Sequence, residues 1–269
     1  MSRPNRLVVG MPERWDAFQS RRSLFIETWP RAVRVIERIF LRSLSDPTST
    51  DKALFYLGRI CVEDFSEILL TCANGYGVAG KKLLRGLFER SVTASYLQRH
   101  PEETSNFEDY WFIQLEKHGR IVRDTLGTSA LPDDEWAHIQ GRAAAVRDRF
   151  LVTACQHCKT TRLNHTWSKV DFVSMARECK ELWPFISTTY YDTLSHAHAN
   201  FGGIIQRLTA DEDGFSFLDT SPPEEVDFVL GNAHSLLLLV LHQQVLHFNL
   251  TEIQAELDGC LEDCVKAWD

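Results

Sequence analysis

The chain has 269 residues, of which 44% are hydrophobic and 25% charged, with a formal net charge of -8. That length buries a sizeable core without disulfide or metal staples, and 14 Gly and 9 Pro exclude a collagen-like or low-complexity chain. The longest unbroken aliphatic run, 236–241, is far short of the ~20 apolar residues that cross a bilayer.

Seven cysteines are an odd number, and the first thirty residues carry Arg14, Arg21 and Arg22 without an apolar signal core. Reduced thiols and a cytoplasmic location are therefore expected. The net charge hides an asymmetry. No Lys or Arg occurs from 208 to 265, while Glu224, Glu225, Asp227, Glu252, Glu256, Glu262 and Asp263 all do. A basic body beside an acidic end permits local polyanion binding, and it equally describes acids that solubilise the outer faces of the last two helices.

In chain order, 13–44 reads as one helical stretch interrupted at Pro30. Its second half sets Arg31, Arg34, Arg38 and Arg42 on one face, with Val33, Ile36 and Phe40 between them. Asp46-Pro47 ends this element, and Ser49 or Thr50 is expected to cap the next. The helix over 51–73 carries a core stripe of Leu54, Leu57, Cys61, Phe65, Ile68 and Cys72, and Asn74-Gly75 stops it. A third helix over 78–98 buries Leu84, Leu87, Phe88, Ser91 and Ala94. Pro101 opens a fourth, which stops at Gly127, and Pro132 opens a fifth through Phe150. The stretch 155–168 reads as polar and irregular. Shorter helices follow at 172–182 and 185–199, then a loop with an extended piece at 215–218. A long helix spans 224–248, and Thr251 with Gln254 has the pattern of a capping box for the last one.

The expectation is an all-α fold: a single helical bundle of about eight or nine helices over 47–269, preceded by a helical arm over 1–46. Polar groups stand where apolar ones would be expected on three of these helices. Asp64 lies between Cys61, Phe65 and Ile68; Arg85 and Glu89 form an i,i+4 pair; Tyr191, Ser195 and His198 follow spacings of four and three. Buried charges must satisfy one another. These groups thus predict either a pocket or a polar network that fixes helix register.

The stretch "GVAGKKLLRGLFERSVTASYL" (77–97) resembles the central signature of a prokaryotic domain-of-unknown-function family, number 5677, in which an Arg on a Leu-rich helix is followed four residues later by a Glu. Arg85 and Glu89 match it. The stretch "YYDTLSHAHANF" (190–201) is similar to a later family helix with a Tyr, a Ser and a His, here Tyr191, Ser195 and His198. The helix "ALFYLGRICVEDFSEILLTCANG" also looks like the family's, and the resemblance covers roughly 53–250. It implies an all-helical intracellular protein, distantly like the HEPN domains of toxin and phage-defence systems. HEPN ribonucleases carry an Arg and a His four to six residues apart on one helix. Here Arg85 and His198 would have to meet from two helices.

Three functions follow as expectations. The first is a binding or regulatory module with a defence or stress role, its ligand held by Asp64, Glu89, Tyr191 and Ser195. The second is a metal-independent endoribonuclease with His198 as base and Arg85 as electrostatic stabiliser. The third is a scaffold that associates with a protein partner or with itself through the N-terminal arm. RNA or a nucleotide is the expected ligand, with the arginine row, Lys81 and Lys82 available for phosphates. Neither a cofactor nor a membrane is expected. Cys155, Cys158 and His165 supply three of the four ligands zinc takes, and free loop thiols explain them as well. Gly75, Gly77 and Gly80 follow no strand and read as a turn.

Overall fold

Helices dominate the computed structural model, which describes residues 10–269 apart from 155, 156, 158, 198–200, 212, 213 and 219. The elements are α1 (Pro12–Arg21), α2 (Ser23–Phe40), α3 (Ser49–Ala73), α4 (Gly77–Arg99), α5 (Thr104–Leu126), α6 (Asp133–Val146), α7 (Phe172–Glu178), α8 (Asp192–Ala197), α9 (Phe201–Ile205), α10 (Pro223–His247) and α11 (Thr251–Trp268). Two antiparallel hairpins join them: β1 (Leu151–Thr153) with β2 (Thr161–Leu163), and β3 (Leu208–Asp211) with β4 (Gly214–Phe217). The fold is all-α. The chain divides into two compact units, one of residues 1–96 and 176–269 and one of residues 97–175.

In the first unit α10 is the central element. Val229, Leu230, Leu236, Leu237 and Leu241 are buried along it, and it packs against α3 and α11. By length and composition α10 could cross a membrane, but most of its apolar stretch is covered by protein. It comes close to α3 at Gly58, where Gln244 donates from Nε2 to the Leu54 carbonyl at 2.9 Å. Helix α3 starts on a capping box made by Thr48 with Asp51, rather than on the expected Ser49 or Thr50. The capping box expected at Thr251 and Gln254 does not form: Gln254 bonds Asp258 instead.

Residues 12–40, expected as an arm, are packed into this unit. Phe18, Phe25, Val35 and Ile39 are buried, and α2 lies along α11. Pro30 does not interrupt the helix. The break falls at Arg22, whose guanidinium is drawn to Asp227 (3.0 Å), to the Ala267 carbonyl (2.8 Å) and over the Trp268 ring.

The arginine row of α2 meets the acidic row of α11. Arg31 pairs with Asp263 at 2.8 Å, while Arg34 and Arg38 share Glu256, each at 3.1 Å. Gly259 makes room for this contact, because a Cβ there would stand 2.7 Å from Arg31 Nη1. Arg42 lies over the rings of Phe248 and Phe55. Arg31, Arg34, Arg38 and Arg42 are thus engaged by the chain's own carboxylates and aromatic faces.

Beneath them His234 sits among Phe25, Trp29, Phe65 and Trp268. Trp268 donates from Nε1 to His234 Nδ1 at 3.0 Å, which places the imidazole proton on Nε2. Burial pushes the His234 pKa down to about 4.

The second unit packs α5 on α6 around Tyr110, Ile113, Ala143 and Phe150, with Leu163 and Trp167 at the edge. Within the stretch 155–168, expected to be irregular, β2 pairs with β1 just before it, with Leu151 opposite Leu163. Strands of three residues carry too little alternation to read from sequence.

Two outcomes follow. Glu256→Lys adds a third cation beside Arg34 and Arg38 and is expected to cost about 1–2 kcal/mol in low salt, shrinking at about 1 M salt; urea unfolding at both ionic strengths measures it. His234→Leu leaves the Trp268 N–H without an acceptor and costs about 1–3 kcal/mol at neutral pH. The unfolded imidazole takes a proton near pH 6.5 that the folded one refuses until about pH 4. Stability from neutral His234 is therefore full above pH 6.5 and is lost on acidification towards pH 4. The gap between wild type and His234→Leu narrows across that window, as unfolding curves at stepped pH would show.

Candidate functional site

Helix α4 carries Lys81, Arg85 and Glu89 at i,i+4 spacing, on one face. Opposite them runs a segment that is not an ordinary helix. Residues 183–185 form a tight turn, Ile186–Tyr191 a π-helix, and α8 follows. A π turn changes the phase of every later side chain and is frequent at functional sites. The buried positions become Ile186, Thr189, Thr193 and His196.

These positions are spaced three, four and three, and they form a different face from the one that Tyr191 and Ser195 share. Tyr191 is 51% exposed, and its neighbour Tyr190 meets Arg85 instead, with the guanidinium 4.3 Å from the ring centroid. Ser195 is half-buried and donates to the Asp192 carbonyl at 3.0 Å and to Gln206 at 3.3 Å. His198 lies outside the described residues, as do Cys155 and Cys158. His196, one turn after Asp192, is buried.

Arg85 and Glu89 do pair, Nε to Oε1 at 2.8 Å, with the Arg85 side chain 17% exposed. Asp64 is buried but belongs to a different pair. It receives Arg90 Nη1 at 2.8 Å, and burial, opposed by the Arg90 charge, raises its pKa to about 6.

The polar centre the structure assembles is built on Lys81, which the sequence offered only as a phosphate-binding cation. Its ammonium lies 2.9 Å from Glu225 of α10 and 3.4 Å from Asp192 of α8, with the side chain 13% exposed. Burial opposes the Lys81 charge, but hydrogen bonds and attraction from Glu225 and Asp192 outweigh it, and its pKa is raised. Glu225 is likewise disfavoured by burial, yet Ser221 and Lys81 hold its pKa below the usual carboxylate range. Ser221 Oγ also accepts the Val78 N–H at 3.1 Å, tying the start of α4 to the approach of α10. Gly80 permits this closeness: a Cβ there would stand 2.2 Å from Cys72 Sγ and 3.1 Å from Val229.

Beside Lys81, His196 has its pKa lowered, first by burial and then by the Lys81 charge, so it is neutral at physiological pH. Two buried nitrogens here, His196 Nε2 and Arg85 Nη1, have no hydrogen-bond partner among the described residues. A cleft of about 120 Å³ lined by Val78, Lys82, Arg207 and Ser221 opens at one end of this seam. No group of three or more His, Cys, Asp or Glu with metal-binding geometry occurs among the described residues.

A family model described as "Family of unknown function (DUF5677)" matches residues 51–215. The chain belongs to this family. The matched span includes α3, α4, the whole second unit and the π-helical segment, so Lys81, Arg85, Asp192 and His196 fall inside it and Ser221 and Glu225 outside. No curated protein and no solved structure matches the chain.

Lys81→Met would strand Glu225 and Asp192 without their cation. The expected loss is roughly 2–4 kcal/mol at pH 7, partly recovered as pH falls and Glu225 takes a proton. A double-mutant cycle with Glu225→Gln should give a coupling of about 1 kcal/mol or more.

Proposed function

We infer that this DUF5677 chain is a binding and regulatory module whose ligand site is the seam between α4, the 186–197 segment and α10. The observation that carries this reading is the pair of unsatisfied buried nitrogens, Arg85 Nη1 and His196 Nε2, on facing walls of one polar seam. Arg85 Nη1 is a buried donor without a partner, which costs about 1–3 kcal/mol that an acceptor oxygen from a ligand would offset, while His196 Nε2 donates or accepts according to its tautomer. The surrounding charge selects the kind of oxygen. Lys81 and Arg85 are already paired with Glu225, Asp192 and Glu89, while Lys82 and Arg207 stand at the open end of the seam. With the two inner cations neutralised, a neutral carbonyl, of the nucleobase or peptide-amide class, is favoured at the buried nitrogens.

The ribonuclease alternative needs the Arg85 charge to stabilise a phosphorane, and the Glu89 carboxylate 2.8 Å from its Nε already offsets that charge.

The test is a calorimetric panel of nucleosides, short peptide amides, inorganic phosphate and total RNA against wild type, Arg85→Lys, His196→Phe and His198→Ala. Saturable binding of a neutral ligand, weakened about tenfold or more by Arg85→Lys and His196→Phe, is expected. A ligand at about 100 times its Kd should also add roughly 2.7 kcal/mol of stability. If no panel member binds and the variants change only stability, the seam is a structural network. RNA cleavage abolished by His198→Ala would replace this reading with the nuclease.

A further inference from the structure

The second unit contains a larger cleft, lined by none of the residues of the α4 seam. It measures about 520 Å³ and lies between one face of α5, the turn at 147–150 and β2. Small-molecule pockets fall in the range of about 300–1,000 Å³. Its inner wall is apolar, with Tyr110 and Ile113 buried and Leu163 half-buried. Around that wall stand Lys117, Arg120 and Arg147, three cations, with Glu116 as the carboxylate among the lining residues.

Glu116 is buried and receives Arg147 on Oε2 and Arg120 on Oε1, the latter at 3.4 Å. One carboxylate therefore fixes two guanidinium groups beside each other, and each keeps further N–H donors out of its five. A purely structural ion pair needs one cation per carboxylate; here the cations are in surplus. At the same mouth Arg162 approaches His165 Nε2 at 2.6 Å. Arginine can only donate, so Nε2 accepts and the His165 proton sits on Nδ1. Tyr110 donates to the Asn164 carbonyl at 2.9 Å, and Asn164 to the Ser168 carbonyl at 2.5 Å, fixing the loop after β2 as a wall.

We propose that this cleft binds an organic anion: a phosphate or carboxylate head held by Arg120, Arg147 and Lys117, on an apolar body seated against Tyr110, Ile113 and Leu163. Forked guanidinium groups suit both heads, which present paired oxygens. The site is independent of the α4 seam, whose charge favours neutral ligands.

Naphthyl phosphate and naphthoate serve as probes, with inorganic phosphate and naphthol as head-only and body-only controls, titrated into the full chain by fluorescence or calorimetry. Both halves of the site should be needed, so one of the naphthyl anions is expected to bind at least about tenfold tighter than either control. Which anion binds better identifies the head. The Lys117→Gln/Arg120→Gln variant should weaken that probe by about tenfold or more, equivalent to roughly 1.4 kcal/mol. Lys117 is exposed and the Arg120 side chain is 65% exposed, so an unchanged melting temperature is expected to show the fold intact. Three results overturn the proposal: no binding of either anion up to about 10 mM, inorganic phosphate binding as tightly as both, or the double variant binding as well as wild type. Arg85→Lys should leave probe binding unchanged; a loss there would move the site to the seam.

Discussion

A helix that is apolar over most of its length has to be covered over most of it, and α10 imposes that requirement on the first unit. Its apolar and amide side chains, Leu230, Leu237 and Gln244 among them, are buried. The cover comes from α3 on one flank and α11 with α2 on another. Because the flanks differ in chemistry, they are not interchangeable. The α3 contact is close, with Gln244 reaching the Leu54 carbonyl past Gly58. The α2–α11 contact is finished by arginine–carboxylate pairs over an aromatic floor.

Those pairs account for much of the uneven charge of the chain. A stretch without Lys or Arg beside a row of four arginines has the pattern of a basic binding face joined to an acidic tail. In the folded protein the acids of α11 and the arginines of α2 are each other's counterions. Half-exposed pairs of this kind add little stability individually, but they match α2 to α11 in register.

Much of the helical framework was legible because apolar spacing at three and four residues survives in α3, α4 and α10. The Arg85–Glu89 pair was legible for the same reason, being local to one helix. What sequence could not reveal depended on phase or on distance. In the 186–197 segment the buried face is Ile186, Thr189, Thr193 and His196 rather than the face of Tyr191 and Ser195, a choice between two polar faces that spacing alone does not make. Lys81 meets Glu225 across more than a hundred residues, and no periodicity reports such a partner. Asp64 was rightly read as a charge within a core stripe, but its counterion is Arg90 rather than Arg85. Pro30 inside α2 shows tertiary burial overriding a local breaker, while the chain breaks at Arg22, where a guanidinium has long-range partners.

The first unit is also discontinuous in the chain: the second unit is threaded between Tyr96 and Ala176. Leu54 waits for Gln244, and Arg31 for Asp263, before either segment finds its place. Contacts of such sequence separation are slow to form, since loop closure comes before any reward. During synthesis α2 and α3 would therefore leave the ribosome with bare apolar faces, while the contiguous 97–175 unit is free to close on its own. A nascent chain stalled before α10 emerges should be a ready client for chaperones.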